Sequence, residues 1–115
     1  MKAASREALA TSQNRLDEIL AGDNNVATAA QAGLDIFEVV DVLDTDRELR
    51  VAFTDIAAPS EARKSLAENL FGSKISAGAL RIIQEAAAVQ WSTPKDFVKG
   101  LVSLGRRALL LSLIH

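Results

Sequence analysis

The sequence has no cysteine, no tyrosine, one tryptophan and one histidine among its 115 residues. Without cysteine it has no disulfide, no thiolate zinc site and no cysteine nucleophile. The lone histidine, His115, is the last residue, so no Ser-His or Cys-His pair is expected from it. A terminal residue is also poorly held, which disfavours a role in metal binding. We therefore expect no catalytic site, no metal and no cofactor.

Strong charge of either sign and long apolar runs are also missing. The formal net charge is -2, so no overall basic field attracts nucleic acid or anionic lipid. No apolar run approaches the 18 residues that suggest a membrane span. The opening MKAASREALA lacks the apolar core of a signal peptide. These features predict no nucleic-acid partner and no direct membrane insertion.

Apolar residues are abundant, at 49% of the chain, and most are Ala, Leu, Val and Ile. High apolar content with low net charge favours a folded chain over a disordered one. Ala and Leu lose little entropy on entering a helix, so the composition favours helices. We expect residues 1–115 to form a single helical domain.

Helical periodicity and capping signals divide the chain into six segments, and no segment alternates in the manner of a strand. Gly22 is expected to end the first helix, and Thr45 with Glu48 reads as a capping box for the third. Pro59 fits the first position of the fourth helix. The joints are short, which predicts an all-α fold, a compact six-helix bundle. The predicted helices are approximately residues 3–21, 26–43, 45–54, 59–71, 77–91 after an N-cap at Ser76, and 94 onward after a cap at Ser92 or Thr93, with a polar break at 23–25.

Several short patterns favour structural over chemical roles. Asp35, Glu38 and Asp41 have three-residue spacing and could offer oxygen ligands to a cation, but a solvated acidic stripe explains them better. Gly72-Ser73-Lys74 lacks the frame of a phosphate loop. Trp91 could anchor a partner, although closing the core is the favoured interpretation.

The fourth and fifth helices, joined by GSKIS, could form a helix-turn-helix. A recognition helix needs base-reading and phosphate-binding side chains near its start, and here Arg81 is the one cation of that region. DNA binding is therefore disfavoured. Phe71 and Leu80, on either side of the joint, are expected in the core.

The fifth helix carries two adjacent apolar rows that together cover a wide arc. Two explanations remain open on the pattern alone. In the first, the helix is central and covered nearly all round; in the second, one row faces the core and the other faces a partner helix. The first row is Leu80, Ile83, Ala87 and Trp91, and the second is Ala79, Ile82, Ala86 and Val89.

Several segments, in this order, resemble the δ subunit of bacterial F-type ATP synthases, the counterpart of the mitochondrial oligomycin-sensitivity-conferring protein. The opening looks like the high-GC Gram-positive branch of that family. The most specific segment runs from Pro59 to Ser76. The matching stretches are SREALA, RELRVAFTD, AAPSEARKSLAENLFGSKIS and, after Trp91, STPKDFVKGLVSLGRRALLL.

The resemblance implies a non-catalytic stator adaptor at the cytoplasmic face of the bacterial membrane. It implies that residues 1–115 are the N-terminal domain, which holds the N-terminal helices of α subunits through its first and fifth helices. A separate C-terminal domain, absent from this chain, would bind the b subunits of the peripheral stalk. Under this resemblance the second row of the fifth helix stays partly exposed. The expected partner-binding residues are Ala4, Ala8, Arg15 and Ile19, flanked by Thr11, together with Ala79, Ile82, Ala86 and Val89.

Three alternatives stand beside this hypothesis. A generic helical scaffold could hold some other amphipathic helix, and a small DNA-binding regulator could use the helix-turn-helix. An enzyme has the least support, since no catalytic constellation is found.

Overall fold

The computed structural model describes residues 1–23 and 26–114, apart from the side chain of Asp23. These residues form six α-helices and no strand, which confirms the predicted all-α bundle for this part of the chain. His115 and most of the predicted polar break, Asn24 and Asn25, lie outside the described residues. The helices are α1 (Ala3–Asp23), α2 (Val26–Thr45), α3 (Arg47–Phe53), α4 (Ser60–Phe71), α5 (Ala77–Ala88) and α6 (Pro94–Leu113).

Helix boundaries differ from prediction by a few residues. Gly22 lies inside α1 and does not end it. The N-cap of α3 is Asp46, not Thr45, because the Asp46 carboxylate accepts a hydrogen bond from the Leu49 N–H. Pro59 lies one residue before α4, as its N-cap. The caps of the last two helices agree with the sequence. Ser76 caps α5 and Thr93 caps α6. In each case the side-chain hydroxyl accepts a hydrogen bond from the backbone N–H three residues further along.

Helix α5 ends at Ala88, three residues before its predicted end at Trp91. Val89 is extended, and the Trp91 indole folds back so that its Nε1 donates to the Ala86 carbonyl at 2.8 Å. Two further carbonyls at this end, those of Ala87 and Ala88, accept from Arg63. Helix ends leave carbonyls without partners, and side chains here satisfy them in place of another helical turn.

The core is built around the close pairing of α2 and α6. A Cβ atom at Gly33 would lie 2.7 Å from Leu109 Cγ, and one at Gly105 would lie 3.0 Å from Phe37 Cε2. Both glycines therefore let the two helices approach more closely than larger residues would allow. An aromatic cluster closes one end of the core, where Phe53 stacks on Phe71 and on Phe97, and Trp91 meets Phe97 edge-on.

The core predictions for single aromatic and apolar residues can be compared directly with this packing. Phe71 is buried, as expected, and Trp91 is buried as well, which confirms its core role. Leu80 is only half-buried, packed against the edge of the core. Truncation of Leu80 should therefore weaken the fold less than truncation of Phe71.

Helix α1 lies across α5 and α6 rather than along its sequence neighbour α2. Near its start, the Ser5 hydroxyl accepts a hydrogen bond from the Ser92 N–H at 2.8 Å. Near its end, Asp17 receives two hydrogen bonds from the Arg107 guanidinium of α6, at 2.8 and 2.6 Å. The hydrogen bond and charge of Asp17 raise the pKa of Arg107 above its ordinary value. The first contact brings the start of α1 next to the end of α5, and the two helices pack against each other along a seam.

A candidate partner surface between α1 and α5

The second row of α5 was expected to stay partly exposed, and for three of its four residues this is wrong. Ala79 and Ala86 are fully buried, and Ile82 is 1% exposed. The first row is buried too at Ile83 and Ala87. Both rows therefore face the interior, and the explanation that α5 is central to the bundle is the correct one.

Most residues of both rows are buried because α5 packs against four helices, α1, α2, α4 and α6. On one edge, the Gln84 amide donates to the Lys64 carbonyl of α4 at 3.2 Å. Glu85 follows about 100° further round the helix and so marks the other edge of the exposed strip. Only a narrow strip between these two edges reaches solvent, and Arg81 lies on it.

Val89 and the predicted α1 residues are placed at the margin of the bundle. Val89 is half-buried, but it lies beyond the end of α5 and not on it. On α1, Ala8 is buried, and Ala4 and Ile19 are half-buried. Arg15 is exposed and pairs with Glu18 of its own helix at 3.2 Å.

The accessible part of the α1–α5 seam is therefore narrower and more polar than the predicted groove. We use the name seam surface for Ala4, Thr11, Arg15 and Ile19 of α1 together with Glu85 and Val89 from α5 and its C-cap. All six are half-buried or exposed. Two of the six, Ala4 and Thr11, have small side chains.

Asp35 was interpreted as part of a solvated acidic stripe, and this is wrong for that residue. Its side chain is buried, and its carboxylate accepts from the Ser76 N–H and from Gln31 Nε2, each at 2.8 Å. Asp35 thus joins α2 to the positive N-terminal end of α5. Glu38 and Asp41 are exposed, as expected of a solvated stripe.

Arg63 is a structural residue that sequence reasoning missed. It is 7% exposed, and it donates to the carbonyls of Asp55, Ala58, Ala87 and Ala88 at 2.7–3.1 Å. A guanidinium has five N–H donors in a fixed plane, which suits it to several carbonyls at once. The only local feature of the sequence that marks Arg63 is its position four residues after Pro59. This position does not predict hydrogen bonds from Arg63 to the carbonyls at the end of α5.

No protein-family model matches the chain. Proteins named ATP synthase subunit delta do match it along almost its whole length. The protein of Corynebacterium aurimucosum is 68% identical over 110 residues, which are 96% of this chain and 41% of the relative. That of Corynebacterium glutamicum is 54% identical over 112 residues, 97% of this chain and 41% of the relative. This chain is a homologue of ATP synthase δ subunits. The corynebacterial source of these relatives agrees with the resemblance to the high-GC Gram-positive branch.

The δ homologue spans about two-fifths of the length of the curated relatives it matches. Within residues 1–23 and 26–114, no helix is long and apolar enough to cross a membrane. The same residues hold no group of three or more His, Cys, Asp or Glu side chains placed to share a metal ion.

The central position of α5 also bears on the helix-turn-helix alternative. A recognition helix must leave its first turns free to enter a DNA groove. In the δ homologue, Ala79, Ile82 and Ile83 of those turns are buried against other helices. The described arrangement therefore offers no recognition helix at α5.

Proposed function

We propose that the δ homologue is a stator adaptor of an ATP synthase and that its helical domain holds the N-terminal helix of an α subunit. The observation that carries this proposal is the match to δ subunits over 96% of the chain. In this role the domain catalyses nothing. It resists the torque on the catalytic head, for which a close-packed helical bundle is suited because packed interiors transmit strain.

The contact is proposed at the seam surface. Buried Ala79, Ile82 and Ala86 support this surface from beneath by fixing α5 against its neighbours. Above them, Ala4 and Thr11 admit a partner backbone, and Ile19 offers apolar area. Arg15 and Glu85 carry opposite charges at the rim, which suits an amphipathic partner helix with charges beside its apolar face.

The remaining roles concern the whole protein. Residues 1–115 would form the head-binding domain, and the rest of a full-length δ chain would bind the b subunits of the peripheral stalk. Assembled in this way, the δ homologue would lie peripherally at the cytoplasmic face of the cell membrane. The alternative role, a scaffold for some other amphipathic helix, would use the same seam surface.

The test is calorimetric titration of the domain with a peptide from the N-terminus of the α subunit of the same organism. Thr11→Glu should weaken binding by tenfold or more, because a carboxylate would be desolvated within the contact. The matched control is Ala10→Glu, which adds the same charge at the next exposed position of α1, about 100° away.

Both variants should keep the native circular dichroism spectrum, because both positions are exposed. Equal affinity for Thr11→Glu and the original chain would remove the seam surface from the proposal. No binding of the α peptide to the original chain would instead favour the scaffold alternative.

A further inference from the structure

Four cationic side chains surround two adjoining concavities where α3 meets the start of α6. One concavity has a volume of about 300 Å³ and the other about 240 Å³, and both are lined by Arg50 and Lys95. Arg47 lines the smaller concavity, and Lys99 the larger. We call this region the basic concavity. The net charge of -2 gives no hint of it, because that sum hides local clustering.

The four cations are not neutralised from within the fold. Among the residues that the structure describes, no carboxylate oxygen lies within 4 Å of a side-chain nitrogen of any of the four. Arg50 is held in place, since its guanidinium donates to the carbonyls of Leu43 and Asp44 at the end of α2. Carbonyls carry no net charge, so the positive charge of Arg50 remains. Asp44 is the one carboxylate among the described lining residues.

Two of these cations occupy positions that do not help the helix carrying them. Lys95 lies in the first turn of α6, at the positive end of the helix dipole. Lys99 follows four residues later, and like charges at that spacing destabilise a helix. Asp96, in the same first turn, offsets only part of this charge. Stability of the isolated fold therefore does not account for the arrangement, whereas a negatively charged partner would.

The floor of the basic concavity has apolar area between the cations. Val51 is 47% exposed and lines the smaller concavity with Pro94, while Val98 lines the larger one. A phosphate group has no apolar part to place there. A peptide has, because its side chains can alternate in character. Charge complementarity and this floor together specify carboxylates on either side of one apolar side chain.

We propose that the basic concavity binds an acidic protein segment in which carboxylates flank one apolar side chain. The carboxylates pair with Arg47, Lys95 and Lys99, and the apolar side chain covers Val51 and Pro94. This surface uses α3 and the start of α6, so the inference is independent of the contact proposed at the seam surface.

The test uses the 115-residue chain and a short fluorescein-labelled peptide with glutamates on both sides of one leucine. Fluorescence anisotropy should show saturable binding that weakens as salt is raised, because exposed charges are screened. Arg47→Glu combined with Lys95→Glu should reduce affinity at least tenfold. The control pair, Lys74→Glu with Arg106→Glu, makes the same change in net charge at exposed positions elsewhere and should bind like the original chain.

Circular dichroism checks that each variant is folded, and Lys99→Gln serves as a milder variant that should still lower affinity. Several results would overturn the proposal. They are no binding of the peptide, equal losses in the two charge-reversed pairs, and equal binding of a peptide in which alanine replaces leucine. Displacement of the peptide by equimolar inorganic phosphate, or tighter binding to vesicles of anionic lipid than to the peptide, would equally reject an acidic protein segment.

Discussion

Helices α5 and α1 are both rich in alanine and carry a few large apolar residues, yet they differ in how far the bundle buries them. Helix α5 is packed against four other helices, and its two apolar rows are buried except at Leu80 and Val89. Helix α1 packs mainly against α5 and α6, and it leaves one flank with Thr11 and Arg15 in solvent. A helix in the middle of a bundle uses all its apolar surface internally, whereas a helix at the margin keeps a surface that a partner can reach.

The strongest test of this contrast places the same charge on each helix. Ile82→Glu should destabilise the domain by several kcal/mol and can unfold it, because an unpaired carboxylate would be buried in the centre. Ile19→Glu on α1 should have a much smaller effect, since its half-buried side chain can turn toward water. Urea unfolding gives both free energies. Similar losses for the two variants would show that α1 is as enclosed as α5.

A second test concerns what holds α5 in the centre. Arg63→Met keeps the volume and removes the hydrogen bonds to the carbonyls at the end of α5. We expect a loss of about 3 kcal/mol in the free energy of unfolding, because each buried acceptor left unpaired costs about 1–3 kcal/mol. Arg81→Met, at the exposed strip of α5, is the control and should change stability by no more than about 0.5 kcal/mol. If Arg63→Met lowers the free energy of unfolding no more than this control does, water forms the hydrogen bonds to these carbonyls in the variant.

The smallest expected effect is on the attachment of α1 to α6. Arg107→Ala removes the ion pair with Asp17, whose side chains are both about two-fifths exposed. Pairs this open contribute about 0–1 kcal/mol, so the loss should be small and should shrink further in high salt. Arg106→Ala, at the neighbouring exposed position, is the control and should change little.

The pH dependence of this pair follows from the raised pKa of Arg107. A folded-state pKa above the unfolded one stabilises the protein fully below the unfolded pKa, and that contribution is lost only as the pH rises through the folded pKa. Titration of Arg107 therefore does not alter stability near neutral pH. A midpoint for urea unfolding that differs between pH 6 and pH 8 in the original chain but not in Arg107→Ala would contradict this.

Local signals in the sequence were enough for the helices and for the caps of α5 and α6, because a cap depends on residues three apart. They also placed Phe71 and Trp91 in the core. They did not fix which way α5 faces, because two adjacent apolar rows fit a central helix and a grooved one equally well. The roles of Asp35 and Arg63 could not be predicted from the sequence for another reason. Their partners at the two ends of α5 lie 41 and 24–25 residues away, so only the folded chain brings these groups together.

The contact between Ser5 and Ser92 has a consequence for biosynthesis. The two residues are 87 positions apart, so α1 leaves the ribosome long before the joint that receives it. At about 5–20 residues per second, this delay is on the order of 4–17 s. For most of that time the apolar stripe of α1, with Leu16 and Leu20, has neither α5 nor α6 to cover it. The newly made chain is therefore open to chaperones, or to premature association with other nascent chains, until α6 has been synthesised.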